Sequence, residues 1–468
     1  MDILSTPYIP EIEVDPVLLM KLHKPVPRYT SYPTAPEWSS VSQDTYSTHL
    51  KMLDTSNKKI SIYFHIPFCT TMCLYCGCSV ILNRKPERQE QYIAYLITEI
   101  ELIANQFEHK HTITQLHFGG GTPTLLTEKQ FDLIFSTLSK YFEIDFDGEI
   151  SIEIDPRTVI GDNGEKLKYL RQKGFNRISF GVQDTNPEVQ EAVKRRQTYE
   201  MTAQTYAWAR ELKFKGINID LIYGLPYQTP QSFDDTIKKI ISLKPDRVAL
   251  FSYAKVPWLK PHQNAIKEDT LPSIEQKFEI YINARKQFLK DGYIAIGMDH
   301  FGLEQDELTQ AYLNHKLHRN FHGYTLRLAD NMISFGITAI GEVENGYFQN
   351  VKTLEEYYSA LDQKQFPISK GKELTNDDKI RRWVIQSLMC HFELDKILFE
   401  KLHGAKFEEY FSQEFVDIQE LVNDGLIINT VEKLQPTFYG RLFIRNIAAT
   451  FDHYLRNKQQ QRKFSQSI

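Results

Sequence analysis

Four of the chain's five cysteines stand within one ten-residue stretch, Cys69-Thr70-Thr71-Met72-Cys73-Leu74-Tyr75-Cys76-Gly77-Cys78, directly behind the apolar run Ser61-Ile62-Tyr63-Phe64-His65-Ile66-Pro67. Thiolates are soft ligands, and an iron-sulfur cluster takes one Cys for each iron, so the stretch has the composition of a cluster-binding loop. Its first three cysteines read C-x3-C-x2-C. Ferredoxin-type carriers use four Cys per cluster, in spacings such as C-x2-C-x2-C with a further Cys elsewhere. Cys78 follows Cys76 too closely to reach a fourth iron easily, which leaves three irons held and one open. Structural zinc is the plainer alternative, but its ligands usually come as two pairs set well apart, and one short loop offers poor tetrahedral geometry. A disulfide fits worse, because no secretory signal is evident and reducing compartments keep such thiols free.

A ligand loop needs a frame, and the text around it alternates strand and helix signals. Apolar β runs at 61–66, 113–118, 149–154, 177–182, 217–222 and 247–253 are separated by helical periodicity at 87–105, 128–142, 165–173, 187–194, 200–213 and 231–243, with a further helix at 273–289. Six β/α units in order predict an α/β fold with a parallel sheet covered by helices. In such folds ligands gather at the carboxyl ends of the strands. Those ends are polar here: the cysteine loop, Gly119-Gly120-Gly121-Thr122-Pro123, Glu153 with Asp155, Gln183, Asp220 within strand five, and Tyr253-Ala254-Lys255.

Each of these also has a plain structural reading. A triple-glycine turn is often only a tight connection, since Gly reaches positive φ freely. Glu153 and Asp220 could be helix caps or ion-pair partners, yet they interrupt Ile152-Glu153-Ile154 and Ile219-Asp220-Leu221. A buried carboxylate is costly without a partner, so a hydroxyl, an ammonium or an Arg is expected beside each. Arg195 is a candidate anion partner, although Lys194-Arg195-Arg196 read alone is a solvated helix end.

With 468 residues the chain predicts two or three domains on a prior of roughly 100–200 residues each. A net charge of -5 argues against wholesale nucleic-acid binding, which needs a basic face. The opening carries Asp2, Glu11, Glu13 and Asp15 without a signal-peptide core, and no apolar stretch approaches the roughly 20 residues that span a bilayer; a cytoplasmic protein is expected. Beyond residue 290 the alternation fades into His- and Arg-bearing stretches, Gly297 to Phe301 and Leu317 to Thr325. From about 375 the text is helical with a short strand pair near 426–428 and 434–436, which resembles a small winged-helix domain of mixed charge, and the 458–463 end reads as an ordinary charged tail.

The C-x3-C-x2-C spacing with an aromatic residue before the last Cys resembles the radical S-adenosylmethionine (radical SAM) enzymes. Over nearly its whole length the chain resembles one family among them, the oxygen-independent coproporphyrinogen III oxidases (coproporphyrinogen dehydrogenases). The likeness rests on Pro27-Arg28-Tyr29-Thr30-Ser31-Tyr32-Pro33-Thr34, Tyr63-Phe64-His65-Ile66-Pro67-Phe68, the cysteine loop and the triple-Gly turn. It continues through Glu153-Ile154-Asp155-Pro156-Arg157, Gly181-Val182-Gln183-Asp184, Asp220-Leu221-Ile222-Tyr223-Gly224-Leu225-Pro226, Gly297 to Phe301, Leu317 to Thr325, Arg381-Arg382 and Gly440-Arg441-Leu442.

The resemblance implies a partial (β/α)6, TIM-like barrel of the radical SAM type at 49–370, an N-terminal arm at 1–48 and a small, mainly helical domain at 371–468. It implies that Cys69, Cys73 and Cys76 hold a [4Fe-4S] cluster whose open iron binds SAM, releasing a deoxyadenosyl radical. SAM is then expected against Tyr63, Tyr75, Gly120, Gly121, Thr122, Glu153, Ala254 and Ile340, with a second SAM at Gln183, Arg195 and Asp220; Tyr63 and Glu153 are the expected catalytic residues. The implied reaction is the anaerobic oxidative decarboxylation of two propionates of coproporphyrinogen III to the vinyls of protoporphyrinogen IX, in haem biosynthesis. A monomer served by an electron donor, with neither nucleic acid nor membrane as partner, is expected. Arg28 and Arg319 are candidates for gripping propionates. The chain departs from the family at Lys255, where His is common, which puts a proton relay there in doubt, and at Ser79 in place of Asn. The rival readings are a haem chaperone, which typically lacks the fourth Cys and the Pro-Arg-Tyr arm, a radical SAM methyltransferase, and a DNA-binding regulator.

Overall fold

The computed structural model describes residues 15–56, 59–326, 328–456 and 464–467; Asp2, Glu11 and Glu13 of the acidic opening and the charged run at 458–463 lie outside the described residues. Six strands, β1 (Ile60–Ile66), β2 (Thr112–Gly120), β3 (Glu143–Ile154), β4 (Arg177–Gln183), β5 (Gly216–Tyr223) and β6 (Arg247–Ser252), pair side by side in chain order, all parallel. Helices Pro86–Ala104, Glu128–Tyr141, Glu165–Gln172, Tyr199–Glu211 and Pro230–Leu243 connect them, and Ile274–Lys290 follows. Several begin where side chains satisfy the free backbone N–H groups of the first turn, as in the reciprocal Thr127/Gln130 and Ser273/Gln276 caps.

Side chains alternate along a strand with a period of two, and β4 and β5 follow that period closely. Ile178, Phe180 and Val182, and Ile217, Ile219 and Leu221, are buried in the core, while the half-buried positions between them carry Ser179, Gln183, Asn218 and Asp220. Ser179 Oγ donates to Asp220 at 2.8 Å and Asn218 Nδ2 does so at 2.7 Å, so these polar positions share the other face, inside the curve of the sheet.

Where the sequence signal fades, the sheet continues. After β6 come β7 (Ile294–Ile296) and β8 (His300–Gly302), the latter antiparallel to β6. The chain then returns to the opposite edge, where β9 (Asn331–Phe335) lies parallel to β1 and β10 (Ile340–Val343), β11 (Gly346–Asn350) and β12 (Ile368–Glu373) extend it antiparallel. The result is one twelve-stranded sheet with β12 at one end and β7 at the other: a partial barrel. Helices Asn376–His391, Lys396–His403 and Phe415–Asn423 pack beyond it. Their short sheet adds Leu394–Asp395 to the expected strand pair, Ile427–Asn429 and Lys433–Pro436.

The N-terminal arm is gripped from both sides. Arg28 donates to the Ser252 carbonyl at the end of β6 (2.9 Å) and Arg319 to the Arg28 carbonyl (3.2 Å). From the C-terminal helices Arg445 donates to the Pro27 carbonyl (3.1 Å) and also to that of Val26, Asn446 donates to the Leu22 carbonyl (2.9 Å), and Asp452 accepts from the Tyr29 hydroxyl (3.1 Å).

Candidate active site

The cysteine loop leaves β1 through Pro67 and is closed at its base by a two-residue parallel ladder, Phe68–Cys69 against Ile81–Leu82. Its far side is tied to the segment after β6. Lys260 Nζ donates to the Cys78 carbonyl at 2.8 Å, His262 Nε2 donates to that of Cys76 at 2.9 Å, and Gln263 Nε2 donates to those of Tyr75 at 2.9 Å and Ala254 at 3.2 Å. Backbone carbonyls thus absorb the clamp, and Cys69, Cys73 and Cys76 line a cavity.

The triple-glycine turn passes directly beneath. Gly120 has φ +110°, and a Cβ there would meet the His65 ring at 2.6 Å; at Gly121 a Cβ would meet backbone of Pro67 and Phe68 at 2.7 Å. These glycines are required by close approach. The freed Gly120 N–H donates to Glu153 Oε2 at 3.0 Å, and His117 Nε2 lies 3.6 Å from Oε1. Burial pushes the Glu153 carboxyl up, but His117 and the Gly120 N–H outweigh it and hold the group below its ordinary value. Asp220 has neutral donors, Ser179 and Asn218, and burial pushes it up to about 6.

Arg195 does not behave as a solvated helix end. Lys194 takes a left-handed turn, φ +56°, and Arg195 folds inward to 6% exposure, whereas Arg196 stays outside paired with Glu191. Its Nη1 lies 3.6 Å from Cys73 Sγ and 3.5 Å from Asp155, and its Nη2 donates to the Gly181 carbonyl at 2.5 Å. Arg157, to which its motif assigns no role, pairs with Asp155 at 2.6 Å and brings Nη2 within 3.9 Å of Cys73 Sγ. Burial pushes the Asp155 carboxyl up, and Arg195 followed by Arg157 hold it net below its ordinary value.

These groups surround one cavity of about 690 Å³ at the carboxyl ends of the strands. Of the expected residues, Cys69, Cys73, Cys76, Tyr75, Gly120, Gly121, Thr122, Glu153, Gln183, Arg195, Asp220 and Ala254 all stand on its wall. Tyr63 and Ile340 do not. Tyr63 stacks on His117 with ring centroids 5.8 Å apart and its hydroxyl lies 3.1 Å from His65 Nδ1, and Ile340 opens β10 with its carbonyl bonded by Ser334. Lys255 is paired with Glu268 at 2.6 Å. The clamp residues Lys260, His262 and Gln263 carried no signal in the sequence, since each acts on backbone; Arg157 was visible only as the neighbour of Asp155.

The donor set fits an iron-sulfur cluster. Three cysteines of one loop line the cavity, and the Arg195 and Arg157 guanidinium groups lie 3.6 and 3.9 Å from Cys73 Sγ. A family model described as the radical SAM superfamily matches residues 63–240, and one described as the HemN C-terminal domain matches 374–443. The chain is 41% identical to the oxygen-independent coproporphyrinogen III oxidase of Synechocystis, over 99% of this chain and all of that one, and 41% identical to that of Escherichia coli, over 98% and 100%. The solved structure of the E. coli protein, described as a radical SAM enzyme, superposes with a TM-score of 0.88 at 40% identity, covering 95% of this chain and 100% of that one. This chain therefore belongs to the family of oxygen-independent coproporphyrinogen III oxidases.

Proposed function

We propose that this chain is an oxygen-independent coproporphyrinogen III oxidase, which converts two propionates of coproporphyrinogen III to the vinyls of protoporphyrinogen IX with a [4Fe-4S] cluster and SAM. The observation that carries the reading is the three-cysteine loop aimed into the same cavity as Glu153, Asp220 and Arg195, in a chain alike over its full length to oxidases of that name. Cys69, Cys73 and Cys76 are the ligands of the cluster in this reading. Together the bound cluster and SAM supply the one-electron chemistry that takes a hydrogen atom from a propionate arm. Each conversion then releases one CO2 and one electron, which leaves to an acceptor.

The chain's own residues bind and exclude. Glu153, ionised and fixed by Gly120 and His117, accepts from ribose hydroxyls or the SAM ammonium, with Tyr75, Gly121, Thr122 and Ala254 around it. Tyr63 holds this carboxylate's side of the site through the His117 stack; burial, then the Glu153 charge, pushes its hydroxyl well up, so it keeps its proton. Ile340, off the cavity wall and packed against the cluster of Trp38, Tyr347 and Leu374, is assigned a supporting place behind the same SAM. Gln183, Arg195 and Asp220 form a second group on the cavity wall and are assigned a second SAM.

The three-part division at 48/49 and 370/371, a monomeric state, a cytoplasmic location that keeps the thiols reduced, and an electron donor for the cluster belong to the same proposal. Among the described residues no helix is long and apolar enough to cross a membrane. The test is anaerobic incubation of reconstituted protein with coproporphyrinogen III, SAM and a reductant, followed by oxidation and chromatography of the porphyrins. Vinyl products with SAM consumption are expected. SAM cleavage without vinyl product would overturn the oxidase reading and favour a methyltransferase.

A further inference from the structure

Beside the main cavity lies a second of about 40 Å³, and the two share Arg28 and Ser252 on their walls. One water needs roughly 10–15 Å³, so the side pocket has room for a group of a few heavy atoms and none for a macrocycle. Its wall is built where three parts of the chain meet: Tyr223 and Asp299 from the barrel, Arg28 from the arm and Arg445 from the C-terminal helices.

Charge there does not balance. Lys277 is not on the pocket wall; it stands behind Tyr223, with Nζ 5.9 Å from that ring's centroid and its hydrogen bond made to the Tyr253 carbonyl at 3.3 Å. Arg28 bonds the Ser252 carbonyl, and Arg445 spends its N–H groups on carbonyls, those of Val26, Pro27 and Gln466 among them. Arg319 approaches Arg28 with its Nη1 buried and unbonded. Asp299 is the carboxylate on the wall, and it already bonds His300 Nδ1 at 2.7 Å. Among the described residues no carboxylate lies within ion-pair distance of Arg28, Lys277 or Arg445. The one Asp299 carboxylate, whose charge faces Arg319 and Arg28, is outnumbered by the cations around it; buried cations in excess of their counter-charge are costly, and burial, with Arg28 and Arg445 beside it, pushes the Lys277 ammonium down to about 7.

We propose that this side pocket is a carboxylate subsite that takes the end of one propionate arm of the substrate, bound by Arg28 and favoured by the charge of Lys277 behind the Tyr223 wall, with Arg445 as a positioning residue that fixes the arm segment carrying Arg28. The inference rests on the proposed function, because that reading supplies a tetracarboxylate. The pocket admits the end of an arm and little else, so the arm it takes is one that is not reacting; the reacting arm stays in the large cavity facing the cysteine loop. Two of the four propionates survive the reaction, and a fixed hold on one of them sets which others are presented.

The test uses coproporphyrin III, the stable oxidised macrocycle with four carboxylates, titrated by fluorescence against the full, anaerobically reconstituted protein, with its tetramethyl ester as the uncharged probe. Arg28→Met and Lys277→Met should each weaken coproporphyrin III about tenfold or more while leaving the ester unchanged. Iron content and melting temperature show whether each variant has folded, and Lys277→Met stands in if Arg28→Met does not. Unchanged affinity for coproporphyrin III, or equal losses for acid and ester, would overturn the subsite. Protection of the unsubstituted protein by inorganic phosphate together with unaltered porphyrin binding in the variants would mark a general anion site and overturn it as well. Failure of the unsubstituted protein to bind coproporphyrin III or to form vinyl product would instead count against the proposed function.

Discussion

Cys76 and Cys78 differ by two positions and stand in different relations to the site. Cys76 is the third residue of the C-x3-C-x2-C spacing and is half-buried, whereas Cys78 lies outside that spacing and is exposed. Cys76→Ser is therefore expected to lose iron and SAM cleavage together, while Cys78→Ser keeps most of its iron; iron analysis and visible absorption of anaerobically purified protein decide it, and equal iron loss in both would contradict the ligand assignment. Spacing alone made the cysteines legible, and a charge inside an apolar β run did the same for Glu153 and Asp220. Arg195 was legible as a candidate anion partner and, by resemblance, as a SAM contact, but not its inward turn, which depends on the left-handed backbone of Lys194 and on Asp155, 40 positions away in sequence. Tyr63 was readable as a residue ahead of the loop, but its place outside the cavity wall follows from stacking on His117, which no local pattern encodes.

Elements were legible where their period was sustained. The expected strands and helices from 61 to 289 agree with the observed ones to within a few residues, apart from β3, which starts earlier at Glu143. The return strand β9 was missed because it has five residues, all buried, and lacks the alternation that marks a half-buried strand. What holds its end is a buried carboxyl on the helix Pro86–Ala104: Glu99 accepts from Gly336 N at 2.8 Å, Asn350 Nδ2 at 2.6 Å and the Tyr357 hydroxyl at 2.6 Å. Burial pushes Glu99 up to about 7 from its ordinary 4.5 in spite of these donors. A carboxyl whose folded pKa is raised stabilises the fold below its unfolded pKa, and that contribution is lost as pH rises to the folded value. Between about pH 4.5 and 7 this one group should cost roughly 3 kcal/mol of stability. Thermal melts across that range should show the decline, and Glu99→Gln should flatten it; an equal slope in the variant would remove Glu99 as its source.

On the scale of the molecule, the arm is held between the barrel and the C-terminal helices, and it delivers Arg28 to the wall of the main cavity. Such long-range closure has no signature in periodicity, and the sequence exposed the arm only through its likeness to a family. Everything downstream depends on three thiolates leaving one iron of a [4Fe-4S] cluster to SAM. The direct measurement is electron paramagnetic resonance of the reduced, reconstituted protein with and without SAM labelled at its amino nitrogen. The account predicts about four irons per chain and a cluster signal that shifts on adding SAM and carries coupling from the labelled nitrogen. A signal indifferent to SAM, or zinc in place of iron, would contradict it.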